Sequence, residues 1–88
     1  PKTARLYDNY PNPFNPSTSI TFDLPSNEHV IISVFNALGQ NMTTLVDKKL
    51  TAGSHHVLLK THGWSSGVYY YKIVAGELNE TKRMLLVR

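Results

Sequence analysis

The chain has 88 residues, 41% hydrophobic and 17% charged, the balance of a small globular domain rather than of a disordered or membrane-spanning chain. A domain of this size buries only about two-thirds of the surface its unfolded chain exposes, and with no cysteine it has no disulfide, no thiolate nucleophile and no cysteine-ligated zinc. The net charge is +3, but the cations are scattered, with Lys48-Lys49 and Lys82-Arg83 the densest groups, and no basic stripe interleaved with aromatics marks a nucleic-acid partner.

The chain begins at Pro1, without a methionine or signal peptide, and reads as a piece of a longer protein. Residues 1–9 read as a linker or lead-in and residues 10–88 as the domain. Pro11, Pro13 and Pro16 fall within six residues; each fixes its own φ and pushes the preceding residue out of the helical region. The stretch from Leu6 to Ser17 is therefore extended, and Tyr10 and Phe14 argue that it is ordered. Beyond it, helical periodicity is absent. Ile20, Phe22 and Leu24 alternate with Thr21 and Asp23 in a strand that Pro25 ends. Val30 to Phe35 is a second, with Val30, Ile32 and Val34 on one face and Ile31 and Phe35 on the other. A tight turn follows at Asn36-Ala37-Leu38-Gly39. Asn41 to Val46 reads as a third strand, Lys49 to Thr51 as a short fourth before a turn at Ala52-Gly53, and His55 to Lys60 as a fifth. After a loop holding Trp64 between Gly63 and Gly67, Val68 to Ala75 is the strongest strand, and an outward Lys72 turns Tyr69, Tyr71 and Ile73 inward. Gly76-Glu77 makes a hairpin into the closing strand, Glu80 to Val87.

About seven strands joined by short turns fit an all-β, immunoglobulin-like, two-sheet antiparallel β-sandwich better than a closed barrel. The expected core includes Phe22, Val30, Ile32, Val34, Leu45, Val57, Leu59, Tyr69, Tyr71 and Ile73. Gly39, which closes a turn, and Gly67, which precedes the strongest strand, are the positions where a positive φ is expected at one or both. No apolar run approaches the roughly 20 residues of a transmembrane helix, so no direct membrane insertion is expected.

The residues that carry chemistry are dispersed. His55 and His56 are adjacent in a strand and point to opposite faces, His29 sits at a strand start and His62 in a loop, so no metal site is expected among them. The acids Asp8, Asp23, Glu28, Asp47, Glu77 and Glu80 fall mostly at turns and strand ends, and Asp23 lies on the wet face of its strand. No serine sits in a G-x-S-x-G elbow. Neither a catalytic site nor a cofactor is expected. Trp64 and Tyr70 are candidate exposed rings for stacking on a sugar, whereas Tyr69 and Tyr71 read as core or corner residues. Asn41-Met42-Thr43 and Asn79-Glu80-Thr81 are formal glycosylation sequons, relevant only in a eukaryotic secretory setting.

Five segments together carry a family resemblance. Tyr10-Pro11-Asn12-Pro13-Phe14-Asn15-Pro16-Ser17-Thr18-Ser19-Ile20 resembles the opening motif of the type A C-terminal sorting domain of the type IX (Por) secretion system. The turn Val34-Phe35-Asn36-Ala37-Leu38-Gly39-Gln40 is similar to its strand–turn–strand segment, and Leu50-Thr51-Ala52-Gly53-Ser54-His55 to its next hairpin. Ser66-Gly67-Val68-Tyr69-Tyr70-Tyr71-Lys72 resembles its G-x-Y motif, and Thr81-Lys82-Arg83-Met84-Leu85-Leu86-Val87-Arg88 its terminal basic–apolar strand. The resemblance runs in family order over about residues 6 to 88. The immunoglobulin-like domain of flagellar hook-capping proteins is similar over the G-V-Y strand and the Gly39 turn; the N-P-F-N-P-S-T opening favours the sorting domain.

The resemblance implies a secretion address and not a catalyst. Its partners would be a cargo domain N-terminal to it, the outer-membrane translocon and a sortase-like cysteine peptidase. Such cargo, in the Bacteroidetes and related phyla, carries a Sec signal, passes through the periplasm and ends at the cell surface or in the medium. Cleavage is expected near the domain's N-terminus, around Pro1 to Tyr7. The recognition motifs carried over are Pro11, Asn12, Pro13, Gly67, Tyr69, Lys82, Arg83, Met84, Leu86 and Arg88. The terminal strand would be read as an edge strand, with Lys82, Arg83 and Arg88 meeting an acidic groove. The competing readings are a polysaccharide-binding accessory module of a secreted hydrolase and a structural spacer.

Overall fold

From Ser17 onward burial alternates along the chain: Thr18, Ile20, Phe22 and Leu24 are buried and the residues between them are not, as in a strand with one face on a core. The computed structural model, which describes residues 1–88, is all-β. Its strands are β1 (Arg5–Leu6), β2 (Ser17–Leu24), β3 (Glu28–Asn36), β4 (Asn41–Leu50), β5 (Gly53–Lys60), β6 (Gly67–Ala75) and β7 (Leu78–Leu86). They pair antiparallel into two sheets, ordered β1-β2-β5 and β4-β3-β6-β7. The two sheets pack as the expected immunoglobulin-like sandwich, with the fourth strand hydrogen-bonded to β3 rather than to β5.

The number seven is reached differently from the sequence reading. Asn41 to Val46 and Lys49 to Thr51 are not two strands but the single strand β4. Asp47, Lys48 and Lys49 interrupt its apolar pattern because β4 is an edge, where charge is an asset. The remaining strand is β1, too short to show alternation.

The core holds Phe22, Val30, Ile32, Val34, Leu59, Tyr69, Tyr71 and Ile73, as expected, joined by Leu6, Phe14, Ile20, Leu24, Val46, Ala75, Met84 and Leu86. Leu45 and Val57 are corrections: both are only half-buried and pack against the core's margin. Pairing along β3 and β4 steps from Ile32↔Val46 to Ser33↔Thr44, so Leu45 occupies a β-bulge and Val46 takes the inward position. Val57 lies on β5, an edge strand of the smaller sheet.

Gly39 has φ +82° and Gly67 φ +153°, so both occupy backbone regions that side chains disfavour. At Gly39 the cause is visible. The Asn36 Oδ1 accepts from the Leu38 and Gln40 amides at 2.9 and 3.0 Å, winding the chain into a turn that only a left-handed residue closes.

Candidate functional site

The lead-in is a strap that crosses from one sheet to the other. Arg5 and Leu6 pair with Asp23 and Phe22, and the Tyr10–Ser19 bridge continues the pairing along β2. Leu6 is buried. Tyr7 donates its hydroxyl to Asp23 at 2.5 Å, and its carbonyl accepts the hydroxyl of Tyr71 at 2.8 Å. Burial pushes the Tyr71 phenol up to about 12. The Tyr7 hydroxyl, followed by that of Ser54, holds the Asp23 carboxyl below its ordinary range. Asn9 is buried at the crossover, donating to the Pro11 carbonyl at 3.2 Å and to Thr18 Oγ1 at 3.0 Å. Thr18 in turn donates to Pro11 at 2.7 Å. The buried Thr61 fixes the far end, its amide and hydroxyl both donating to the Pro16 carbonyl.

Beyond this polar knot the strap reaches the last strand. Phe14 forms a parallel bridge with Leu86: its amide donates to the Leu85 carbonyl, and the Val87 amide donates to its own carbonyl, both at 3.0 Å. Asn12 Oδ1 accepts the Leu85 amide at 3.0 Å, a side chain standing in for a neighbouring strand. β7 is therefore an edge in only one half. Its backbone alternates between facing β6 and facing outward, so Leu85 and Val87 are capped by the strap while Asn79, Thr81 and Arg83 offer bare main-chain groups.

The residues singled out from sequence divide sharply here. Met84 and Leu86 are fully buried, and Tyr69 is 6% exposed, its hydroxyl donating to the Ser65 carbonyl at 2.7 Å in the tyrosine-corner manner. Gly67 opens β6 opposite Leu86. These four build the scaffold. Pro11, Asn12 and Pro13 lie on the surface of the strap. Lys82 points toward the core side at the sandwich's rim, with its ammonium 3.0 Å from Asp8 and 3.6 Å from Glu80; Asp8 raises its pKa. Arg88 donates to the carbonyls of Trp64 and Thr61 at 2.6 and 3.4 Å, and Arg83 is exposed without an acidic partner. Leu85 and Val87, 39% and 47% exposed, were missed, although alternation with buried Met84 and Leu86 places them outward.

Other candidate chemistry stays apart. His29 contacts Asp47 at 2.6 Å, and His55 stacks on Phe22 with ring centres 5.4 Å apart. No three His, Asp or Glu side chains converge. Trp64 packs on Tyr69, centroids 5.1 Å apart, and against the core. Tyr70, the next residue along β6, faces the opposite side, so the two rings do not form one flat sugar-stacking platform.

A family model described as a secretion system C-terminal sorting domain matches residues 8–87. The chain belongs to that family. No curated protein and no solved structure matches it. The matched stretch of the sorting domain takes in both the strap from Asp8 and the last strand through Val87. Membership carries a sorting-signal role in type IX secretion, attachment to a cargo and export toward the cell surface or the medium; the family is generally non-catalytic.

Proposed function

We propose that this sorting domain delivers a periplasmic cargo to the type IX translocon for passage across the outer membrane, and that a sortase-like peptidase then removes it. The observation that carries this reading is the last strand: it ends one sheet, Arg83 on it has no acid to neutralise it, and Leu85 and Val87 face solvent. An acidic, apolar receptor groove has something to hold there. Of the basic residues, Arg83 and Arg88 supply the contact, and Lys82 is spent on Asp8 and Glu80. Asn12, Gly67, Tyr69, Met84 and Leu86 hold the strand in place, and Pro11 and Pro13 lie exposed beside it. Within the Pro1 to Tyr7 stretch, our reading puts the junction cut by the peptidase at residues 1–4; Arg5 and Leu6 pair with β2 and the Tyr7 amide donates to Thr21, and a peptidase needs a locally free, extended chain.

A reporter carrying a Sec signal and this domain, expressed in a bacterium with a type IX system, tests the reading. The reporter is expected outside the outer membrane. Periplasmic retention in a host that exports its own cargo sinks it.

A further inference from the structure

Two features from opposite ends of the sequence meet on one surface. The strap and β7 form a ridge with a shallow groove on each side. One groove is lined by Asn12, Pro13, Val68, Arg83, Met84 and Leu85, the other by Pro11, Pro13, Phe14, Asn15, Val87 and Arg88. Pro13 is the shared wall. The hydrogen bond that sets the ridge, from the Leu85 amide to Asn12, joins residues 73 apart in the chain.

The charged side chains of this surface have one sign. Each groove contains an arginine and no side-chain carboxylate. The Arg88 guanidinium is bound by carbonyls, which orient it without cancelling its charge. The contrast is the cleft on the other stretch of β7, lined by Arg5, Asp8, Glu80 and Lys82 among others, where cations and carboxylates neutralise each other. Exposed apolar groups on the ridge, Pro11, Pro13, Leu85 and Val87, are contiguous with the two arginines, the composition of an interface rather than of an idle solvated face.

We infer that the receptor docks on this joint surface, reading the strap and the last strand together as one folded epitope, and that its own face is an apolar groove rimmed by carboxylates. The inference rests on the sorting reading and adds the strap to what is recognised. A receptor that instead paired with β7 as a bare strand would either stop at the uncapped half, Asn79 to Arg83, or displace Asn12 and Phe14 from Leu85 and Val87, and in both cases the strap's outward groups would be immaterial.

The test measures the fraction of a domain-tagged reporter outside the cell, with thermal melting of each purified domain as the check on folding. The strap variant Pro11→Ser/Pro13→Ser, the strand variant Leu85→Ser/Val87→Ser and the charge variant Arg83→Glu are each expected to lower export about fivefold or more. Asn15→Glu puts a carboxylate into the second groove at an exposed side chain that makes no hydrogen bond; it leaves the fold intact and is expected to lower export in the same way. Leu38→Ser and Leu58→Ser, at 84% and 54% exposed positions elsewhere, leave export unchanged. If Asn15→Glu melts and exports like the parent while the strand variant fails, the strap is not read and the inference is overturned with sorting intact. If the parent is not exported, both readings fall. Dimerisation of the domain that Pro11→Ser/Pro13→Ser abolishes, or cosedimentation with anionic phospholipid vesicles that Arg83→Glu abolishes, assigns the surface to another occupant and also overturns it.

Discussion

The strap and the β3–β6 pair are ordered by different means. In β3 and β6 every second side chain, from Val30 to Val34 and from Tyr69 to Ala75, is buried, and the ladder between them runs without a break. The strap has two apolar anchors, Leu6 and Phe14, and short patches of main-chain pairing at Arg5 to Tyr7, Tyr10 and Phe14, and the gaps between them are closed by side-chain hydrogen bonds from Asn9, Asn12, Thr18, Thr61 and the hydroxyls of Tyr7 and Tyr71. One region is held by periodic burial, the other by specific hydrogen bonds between distant residues. Burial is forgiving of chemistry so long as volume is kept. Hydrogen-bonded anchoring is not, because a removed partner leaves a desolvated group behind.

The sharpest challenge to this contrast is Phe14→Ala, expected to cost about 3–5 kcal/mol in denaturant unfolding because the ring is buried among core residues. A cost below about 1 kcal/mol would mean that the strap lies on the sandwich without completing it. Next comes Ile32→Ala in β3, expected to cost about 2–4 kcal/mol, with Val57→Ala clearly less because Val57 is only half-buried; equal losses would reverse the distinction between central and marginal positions. Tyr71→Phe keeps the buried ring and removes only the bond to Tyr7, so it should cost about 0.5–1.5 kcal/mol, and amide exchange should quicken at residues of the strap before it does in β3. Arg83→Ala should change stability by less than about 0.5 kcal/mol, as an exposed residue without a partner; a larger loss would give Arg83 a structural role and weaken its assignment to recognition.

The smallest expected effect is on pH dependence. The folded-state pKa of Asp23 is lowered, chiefly by the Tyr7 hydroxyl, so its contribution is complete above the ordinary carboxylate range and drains away as pH falls toward the lowered value. Tyr7→Phe should flatten that part of the acid limb of a melting-temperature profile, leaving stability more nearly constant there. An unchanged acid limb would detach the strap from Asp23.

Alternation made the central strands readable from sequence, because period-two burial is a local property of a strand with one wet face. It failed at β4, where the bulge at Leu45 changes which side each residue faces, and at β1, which offers only two residues. The prolines marked the lead-in as extended, and Tyr10 and Phe14 marked it as ordered, but nothing local tells Asn12 to bond Leu85 or Asn9 to bond Thr18. Those contacts depend on where the fold brings the chain. The same limit applied to the candidate site. Lys82, Arg83 and Arg88 look alike in sequence, and only the packing shows that Asp8 and Glu80 occupy the first. Leu85 and Val87 were recoverable from alternation with Met84 and Leu86.

The bridge between Phe14 and Leu86 is parallel, and this has a mechanical consequence. A load pulling the N-terminal side of the strap away from the C-terminal side of β7 drags the two segments past each other along their common axis. The two main-chain hydrogen bonds at Phe14 then stretch together, in shear, instead of opening one after the other as a zipper does. Ahead of them in the strap the Asn9 and Thr18 knot, and behind them the two hydrogen bonds from Thr61 to Pro16, resist the same displacement. Forced unfolding is governed by the barrier to opening rather than by equilibrium stability. A small domain with no covalent cross-link thus ties its first and last segments together by bonds that a pull on its two ends must shear.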